Sequence, residues 1–252
     1  MILGEVVGVW PKLRFIYRAL KARYRDQRCE IAALVEKLRP SDIAVDVGAN
    51  KGSYLLWLSR AVYAGRVVAF EPQSRLAEYL TVACAACGLT NVTINAAAVS
   101  DADGEMRLFI PGDEDSPGAS LEKAIEDPEK CKSVKVPVVS LDRYFENQPE
   151  RIGAIKIDTE GHELAVFRGA ERILREHNPL LVFECESRHL SEGNVLAVLN
   201  FVRDKGYDGW FVCRGRLRPI SEFREELHQR KTGDRYWDSA DYCNNFIMEK
   251  KA

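Results

Sequence analysis

The sequence lacks both a long apolar run and an ordered set of cysteines. No stretch approaches the roughly 18 consecutive apolar residues that a membrane span needs, and Met1–Phe15 shows no signal-peptide pattern of basic stretch, apolar run and cleavage site. The seven cysteines are odd in number and scattered without a repeat, which argues against a disulfide framework. We therefore expect a cytoplasmic protein with reduced thiols and no membrane span.

The chain also lacks an excess of charge of either sign. Lys and Arg number 36 and Asp and Glu 38, so the formal net charge is −2. Such a balance gives no bulk attraction to nucleic acid or to an anionic membrane, and we expect neither as a partner. A chain of 252 residues, 46% of them hydrophobic, can bury a full core, and one decorated domain is favoured over two. The oligomeric state stays open.

What the chain does have is an alternation of short apolar strands and helical stripes. Residues 1–40 are basic and amphipathic and predict a helical cap of two helices, and residues 41–252 predict the main α/β domain. Strands separated by helices indicate βαβ units and a mostly parallel sheet with helices on both faces. The predicted sheet strands, about seven, are 43–47, 66–70, 92–99, 152–157, 180–185, 206–213 and 243–248. The polar stretch 111–133 is too long for an ordinary connection and indicates a lid or an insert.

A glycine turn follows the first predicted strand, in the segment Asp46–Gly52 (DVGANKG). Glycine allows the backbone to approach a ligand closely, and the following helix directs N–H groups at it. The G-x-x-x-G spacing departs from the dinucleotide fingerprint G-x-G-x-x-G, and Asp46 suits a ligand with a cationic end better than a pyrophosphate. A purely structural turn is the alternative.

Glu71 closes the second predicted strand, nineteen residues after Gly52. An acidic residue at that distance typically accepts hydrogen bonds from both ribose hydroxyls of an adenosine cofactor. Because nicotinamide and methyl-donor cofactors both contain adenosine, Glu71 indicates adenosine without choosing between them.

A cluster of ionisable residues, KIDTEGHE at 156–163, ends the fourth parallel strand, at the sheet edge where open α/β sheets bind ligands. Carboxylates this close together repel each other, and the arrangement costs free energy unless a metal, a base or a cationic ligand interacts with them. His162 lies in the predicted first turn of the next helix, where its pKa can be near neutrality, and we assign it as general base. Asp158 and Glu160 orient that base or ligate a divalent metal.

Together these segments resemble the motifs of the FkbM-type S-adenosylmethionine-dependent methyltransferases. The matching segments, in the same order and spacing, are DVGANKG at 46–52, AFEP at 69–72 and IKIDTEGHE at 155–163, with SLD at 140–142 and FE at 183–184. The resemblance covers about residues 41–186. It implies a Rossmann-like class I methyltransferase fold with a seven-stranded, mostly parallel sheet. It also implies S-adenosylmethionine as cofactor and O-methylation of a hydroxyl on a sugar or a polyketide-type natural product.

The resemblance also implies roles for single residues. Cofactor contacts are expected from Asp46, Gly48, Asn50, Gly52 and Glu71, with Val99, Ser100 and Asp101 beside the adenine. Contacts with a small-molecule or glycan acceptor are expected from Asp158, Glu160, His162 and Glu163. Glu184 and His189, which end and follow the fifth strand, are further acceptor candidates. The helical cap and the 111–133 stretch fall outside the resemblance and are expected to choose the acceptor.

Two other functions are open at this point. A nicotinamide-dependent oxidoreductase shares the sheet and Glu71, but it predicts tighter glycine spacing. A non-catalytic cofactor-binding or scaffold protein keeps the fold and loses the site. The intact cluster from Asp158 to Glu163 argues against the scaffold, because a non-catalytic protein would gain nothing from carboxylates that repel each other.

Overall fold

The computed structural model describes residues 3–112, 118–121, 131–190 and 194–251, and side chains from Pro11 onward. The chain begins with helix α1 (Leu3–Lys21), a π-helical turn (Ala22–Asp26) and helix α2 (Arg28–Lys37), as the amphipathic pattern predicts. Phe15 and Ile31 are fully buried in the same apolar core as one face of the sheet. The domain boundary at residue 40 stays a prediction, because these helices share that core.

Eleven strands are found in the described part of the chain. They are β1 (Ile43–Val47), β2 (Arg66–Phe70), β3 (Val92–Asn95), β4 (Ala98–Val99), β5 (Gly104–Pro111), β6 (Cys131–Val139), β7 (Ile152–Ile157), β8 (Leu180–Glu184), β9 (Tyr207–Cys213), β10 (Arg216–Pro219) and β11 (Asn245–Lys250). Strands β1 and β7 are buried at every position, because helices cover both faces of the sheet there.

The larger sheet has the order β10-β9-β11-β8-β7-β1-β2-β3. Pairs from β3 to β8 are parallel, whereas β11 runs antiparallel to both of its neighbours. The predicted mostly parallel α/β sheet with helices is confirmed. The strand count is eight instead of seven, because β10 folds back on β9 as a hairpin at the sheet edge.

The predicted strand 92–99 is divided between two sheets. After Asn95 the chain leaves the larger sheet, and β4 pairs with β6 in a second sheet of order β4-β6-β5. The second sheet has its own small apolar cluster, which includes Leu108 and Val138. Of the predicted lid, residues 118–121 return to this sheet through a bridge between Ser120 and Phe109. Its residues 113–117 and 122–130 lie outside the described residues.

The remaining helices pack on the two faces of the larger sheet. They are α3 (Leu55–Ala61), α4 (Ser74–Ala86), α5 (Leu141–Tyr144), α6 (Glu163–Arg168), α7 (Glu171–Glu176), α8 (Val195–Asp204) and α9 (Glu225–His228). Helices α1 to α4 contribute to one apolar cluster, and α5 to α8 contribute to the other. None of the helices described is both long and apolar enough to cross a membrane.

Candidate active site

The turn after β1 takes its shape from two glycines with positive φ. Gly48 has φ +74°, and a Cβ there would lie 1.8 Å from the backbone oxygen of Asp158, so only glycine lets the two strand ends approach. Gly52 has φ +78°, and its Cβ would lie 2.7 Å from the Phe15 ring. Gly48 therefore shapes the site, whereas Gly52 makes room for helix α1.

Glu71 is buried at the end of β2 and is held by backbone amides. Its Oε2 accepts from Asn50 N at 2.7 Å and its Oε1 accepts from Gln73 N at 2.9 Å. Burial raises the pKa of this carboxyl to about 7, against the effect of those two hydrogen bonds. The carboxylate thus joins the glycine turn to the end of β2, with both oxygens fixed.

A cavity of about 540 Å³ lies between Glu71 and Asp158. Its apolar walls include Phe70, Pro72, Ala97, Ala98, Val99 and Leu108, and its polar walls include Glu71, Gln73, Thr159 and Glu160. Residues Ala119 and Leu121, from the described part of the predicted lid, also line it. We name it the adenosine cavity after the ligand that the sequence predicts at Glu71.

Lys156, in the middle of the site, is a residue whose role sequence reasoning missed. Its Nζ donates to the Gly48 carbonyl at 2.8 Å and lies 3.2 Å from Asp46 Oδ1 and 5.3 Å from the Tyr54 ring centre. Burial alone would lower the pKa of Lys156, but Asp46 and Asp158 outweigh it and raise the pKa. The signal available in the sequence was one lysine between Ile155 and Ile157 in an otherwise apolar strand.

This ion pair changes the interpretation of Asp46. The sequence predicts that Asp46 faces the cationic end of a ligand. In the structure the side chain is fully buried and does not line the adenosine cavity. Its cationic neighbour is Lys156, which is supplied by the protein itself. Asp46 therefore links β1 to β7 through this pair, and cofactor contact through Asp46 stays a prediction.

Asp158 borders two cavities. Besides the adenosine cavity, it lines a second one of about 760 Å³, which also touches Asn50, Lys51 and residues of the N-terminal helices such as Arg18 and Gln27. Burial raises the pKa of Asp158 to about 6, Lys156 at 3.7 Å opposes this, and Glu160 adds to it. A carboxylate with that pKa is charged at neutral pH and still basic enough to accept a proton.

Glu160 begins a network of side chains beside the adenosine cavity. Its backbone is left-handed, with φ +53°, and its Oε2 lies 2.8 Å from His189 Nε2. Gly161 is required there, because a Cβ would lie 2.3 Å from the His189 backbone oxygen. Left-handed backbone at a non-glycine residue is strained and concentrates at functional sites.

The network continues along the end of β8. His189 Nε2 lies 3.8 Å from Glu186, which also pairs with Arg188. Asn244 donates to Glu184 at 2.8 Å and to Glu186 at 2.7 Å. Burial, together with Asp158 and Glu186, raises the pKa of Glu184, whereas Arg188 overcomes burial and lowers the pKa of Glu186. The structure thus joins Glu160, Glu184 and His189, although the last two do not line the cavity. We call Glu160, Glu184, Glu186, His189 and Asn244 the acidic network.

His162 has a different environment from the one predicted. It is buried before α6, as its N-terminal cap, and its Nε2 lies 2.8 Å from Ser100 Oγ, which also contacts Asp101 at 3.2 Å. Neither His162 nor Ser100 nor Asp101 lines either of the two cavities, whereas Val99 lines the adenosine cavity. The role of His162 as base stays a prediction, and the geometry gives it a structural partner.

Glu163 is also buried, one residue further along. Its Oε1 accepts from Thr159 N at 3.1 Å, from the Thr159 hydroxyl at 2.9 Å and from Gly161 N at 3.2 Å. Burial raises its pKa to about 7. Glu163 therefore fixes the loop that carries Glu160, and acceptor contact through Glu163 stays a prediction.

The metal alternative receives no support. Within the described ranges, no group of three or more His, Cys, Asp or Glu side chains is arranged to hold a metal ion. Asp158 and Glu160, the predicted candidates, therefore have no third such ligand there.

The chain is similar to known proteins in both sequence and fold. The Methyltransferase FkbM domain matches residues 46–208, more than half of the chain. No curated protein is similar enough in sequence to match. A solved FkbM methyltransferase from Methylobacillus flagellatus KT is 17% identical with a TM-score of 0.49, covering 95% of this chain and 54% of its own, so this chain spans about half its length.

Two further solved structures are similar in fold. A protein from Streptococcus mutans described as a methyltransferase, in complex with SAH, is 13% identical with a TM-score of 0.51, covering 89% of this chain and 97% of its own. An rRNA methylase from Streptococcus thermophilus is 14% identical with a TM-score of 0.46, covering 88% of this chain and 93% of its own. The exclusion of nucleic acid as a partner stays a prediction.

Proposed function

This chain belongs to the FkbM methyltransferase family, and from that premise we propose that it is an S-adenosylmethionine-dependent O-methyltransferase acting on a hydroxyl of a sugar or a polyketide-type natural product. The observation that carries the proposal is the position of Asp158, which borders both the adenosine cavity and the second cavity. Because Asp158 is open to space beyond the adenosine cavity, an acceptor hydroxyl can meet the methyl donor at this carboxylate.

The residues around the adenosine cavity fit the cofactor. S-adenosylmethionine, when bound, supplies an electrophilic methyl group on a positively charged sulfur. Glu71 would accept hydrogen bonds from the two ribose hydroxyls, because its oxygens are fixed by amides and have lone pairs left. Phe70, Pro72 and Val99 offer the apolar surface that an adenine ring requires.

The chain's own catalytic task is to remove a proton from a weakly acidic hydroxyl. Asp158 would accept that proton, since its pKa of about 6 leaves it charged at neutral pH. Lys156 stabilises the charged form before the proton arrives, through its 3.7 Å contact. Gly48 and Glu71 would hold the donor in line, which is the larger part of catalysis when two reactants must be aligned.

The surroundings of Asp158 favour a polyhydroxylated acceptor over a nucleic acid. The acidic network gives carboxylate oxygens that accept from hydroxyls, and its negative charge opposes a phosphate backbone close to the reacting group. The net charge of −2 points the same way. We propose a small-molecule or glycan acceptor on this basis.

The test is a calorimetric titration with S-adenosylhomocysteine, run on the native chain, Glu71→Ala and Glu78→Ala. Glu78 is an exposed glutamate of α4 and is the matched control. We expect micromolar binding that Glu71→Ala weakens by about 100-fold, because two charged hydrogen bonds to ribose are lost, and Glu78→Ala leaves unchanged.

No binding to the native chain would instead reject the cofactor assignment. Binding of S-adenosylhomocysteine without methyl transfer to any hydroxylated acceptor would favour the scaffold alternative. The family assignment leaves the oxidoreductase without support, and titration with a nicotinamide dinucleotide is the direct check.

A further inference from the structure

A second open region lies at the same sheet edge, outside the FkbM match. Strand β9 runs parallel to β8, because both are antiparallel to β11, so Cys213 and Glu184 end at the same edge. Beyond Cys213, the β9–β10 hairpin and residues 227–242 line a groove with about 1,910 Å³ of empty space. The family match ends at residue 208, so the groove is built by the part of the chain outside it.

The groove is lined by four arginines, of which two have a carboxylate partner. Arg214 pairs with Asp241, and Arg218 pairs with Glu222 at 2.6 Å. Arg216 and Arg230 have no carboxylate within ion-pair distance among the described residues, and Arg230 Nε donates to the Glu226 carbonyl. Two exposed guanidinium groups thus face the groove without compensation, which is the arrangement that binds phosphate or carboxylate ligands. We call it the arginine groove.

The arginine groove is fixed to the acidic network by a buried glutamine. Gln229 Nε2 donates to the carbonyls of Cys185 at 2.8 Å and Cys243 at 3.1 Å, and its Oε1 accepts from Ser187 N at 2.8 Å. These bonds hold Arg230, the next residue, at the loop that follows β8. Gln229 therefore links the arginine groove to the loop that carries the acidic network.

The two regions also share a wall. Tyr242 lines the arginine groove and lies against Glu186, and this contact together with burial raises the pKa of its phenol. On the same side, the Arg188 guanidinium that pairs with Glu186 stacks 4.9 Å from the Trp237 ring centre. The groove wall at Tyr242 is thus next to Glu186 of the acidic network.

We propose that the arginine groove binds a phosphate group of the acceptor, so that the substrate is a phosphorylated sugar or alcohol. This inference rests on the proposed function, since it describes the other end of the same acceptor. Arg216 and Arg230 would hold the phosphate by charge-assisted hydrogen bonds while the hydroxyl lies at Asp158. A nucleic acid fits less well, because the two uncompensated arginines of the groove match a single phosphate group and not a polyanionic backbone.

The experiment is titration of the native chain with inorganic pyrophosphate, with S-adenosylhomocysteine titrated separately on each variant. The variants are Arg216→Gln, Arg230→Gln and the control Arg175→Gln, an exposed arginine of α7. We expect saturable pyrophosphate binding that each groove variant weakens about tenfold and the control leaves unchanged. S-adenosylhomocysteine affinity should be equal in all four proteins.

Two outcomes of this titration would overturn the proposal: no pyrophosphate binding to the native chain, or equal binding by the groove and control variants. A third would be a short single-stranded RNA that binds more tightly than pyrophosphate and loses affinity in Arg216→Gln. The last would favour a nucleic-acid acceptor. Loss of S-adenosylhomocysteine binding in the native chain is a separate failure, because it rejects the proposed function whatever pyrophosphate does.

Discussion

The two halves of the candidate site are built in different ways. On the side of β1 and β2, the glycine turn and Glu71 are fixed by backbone amides and by positive φ angles. On the side of β7 and β8, the acidic network is made of side chains that contact each other, such as Glu160 with His189 and Asn244 with Glu184. The first half therefore depends on the path of the chain, whereas the second depends on charge.

This difference predicts how each half responds to change. A backbone-built half fails when a single Cβ is added at a tight position, because the chain has no alternative path. A half built from side chains loses charge one group at a time, and its neighbours can reorganise. The four substitutions below test that comparison.

The largest effect is expected at the glycine turn. Gly48→Ala places a Cβ 1.8 Å from the Asp158 backbone oxygen at φ +74°. We expect a loss of at least about 3 kcal/mol in the free energy of unfolding, measured by urea denaturation, and no S-adenosylhomocysteine binding. The control is Gly88→Ala, which has φ +69° but no atom within 4 Å and should cost only about 1 kcal/mol. Equal losses at the two positions would show that the close approach does not matter.

Asp158 lies at the boundary between the two halves, and its replacement tests its role as the proton acceptor. Asp158→Asn should lower kcat about 100-fold or more while S-adenosylhomocysteine affinity changes by less than about threefold. In the native chain, kcat should rise with pH through about 6 and then level, since the carboxylate acts only when deprotonated, and the variant should lose this limb. Asp204→Asn, an exposed aspartate of α8, is the control. A rate that is independent of pH between 5 and 8 would argue against Asp158 as base.

His162 lies between the two halves of the site, where it is buried against Ser100. His162→Ala should lower the free energy of unfolding by about 1–3 kcal/mol, since it removes the buried hydrogen bond between His162 Nε2 and Ser100 Oγ. Ser100→Ala should cause a similar loss, and the double variant should lose less than the sum of the two. A 100-fold fall in kcat with unchanged stability would instead support His162 as the catalytic base.

The smallest effect is expected outside both halves. Burial raises the pKa of Glu30, in α2, to about 7, as it does for Glu71. Because the folded pKa is raised, this group's contribution to stability is present at low pH and is lost as pH rises from about 4.5 to about 7. Glu30→Gln should therefore raise the free energy of unfolding at pH 8 by about 1 kcal/mol. Glu36→Gln, exposed in the same helix, should not, and a lower stability of Glu30→Gln at pH 8 would contradict the argument.

The backbone-built half was largely predictable from the sequence. The turn Asp46–Gly52 and Glu71 are local signals, because a glycine's place and a strand's end determine where the backbone goes. The sequence did not separate Gly48, which borders the cavities, from Gly52, which contacts Phe15. That distinction depends on which distant residue packs against each glycine.

The side-chain half was predictable only as a set of residues at one edge. Its pairings join residues that are far apart in the chain, such as Glu160 with His189 and Glu186 with Asn244. The sequence shows several carboxylates that would repel each other. The groups that offset this repulsion are Lys156, Arg188 and Asn244, and their pairing with particular carboxylates is visible only in the folded structure. The pairing of Asp46 with Lys156 was missed for the same reason. The added hairpin strand β10 gave no hydrophobic pattern, because all four of its residues are exposed.

The bond between Lys156 and the Gly48 carbonyl has a consequence for the order of assembly. The two residues are 108 positions apart, so the contact closes a long loop and forms late. During synthesis, β1, its glycine turn and β2 leave the ribosome well before β7 is available to pair with β1. Asp46 reaches its buried pairing with Lys156 only when β7 has joined the sheet. The adenosine cavity is therefore incomplete until that step, and a ligand that binds only the finished turn would draw the whole sheet toward its folded state by mass action.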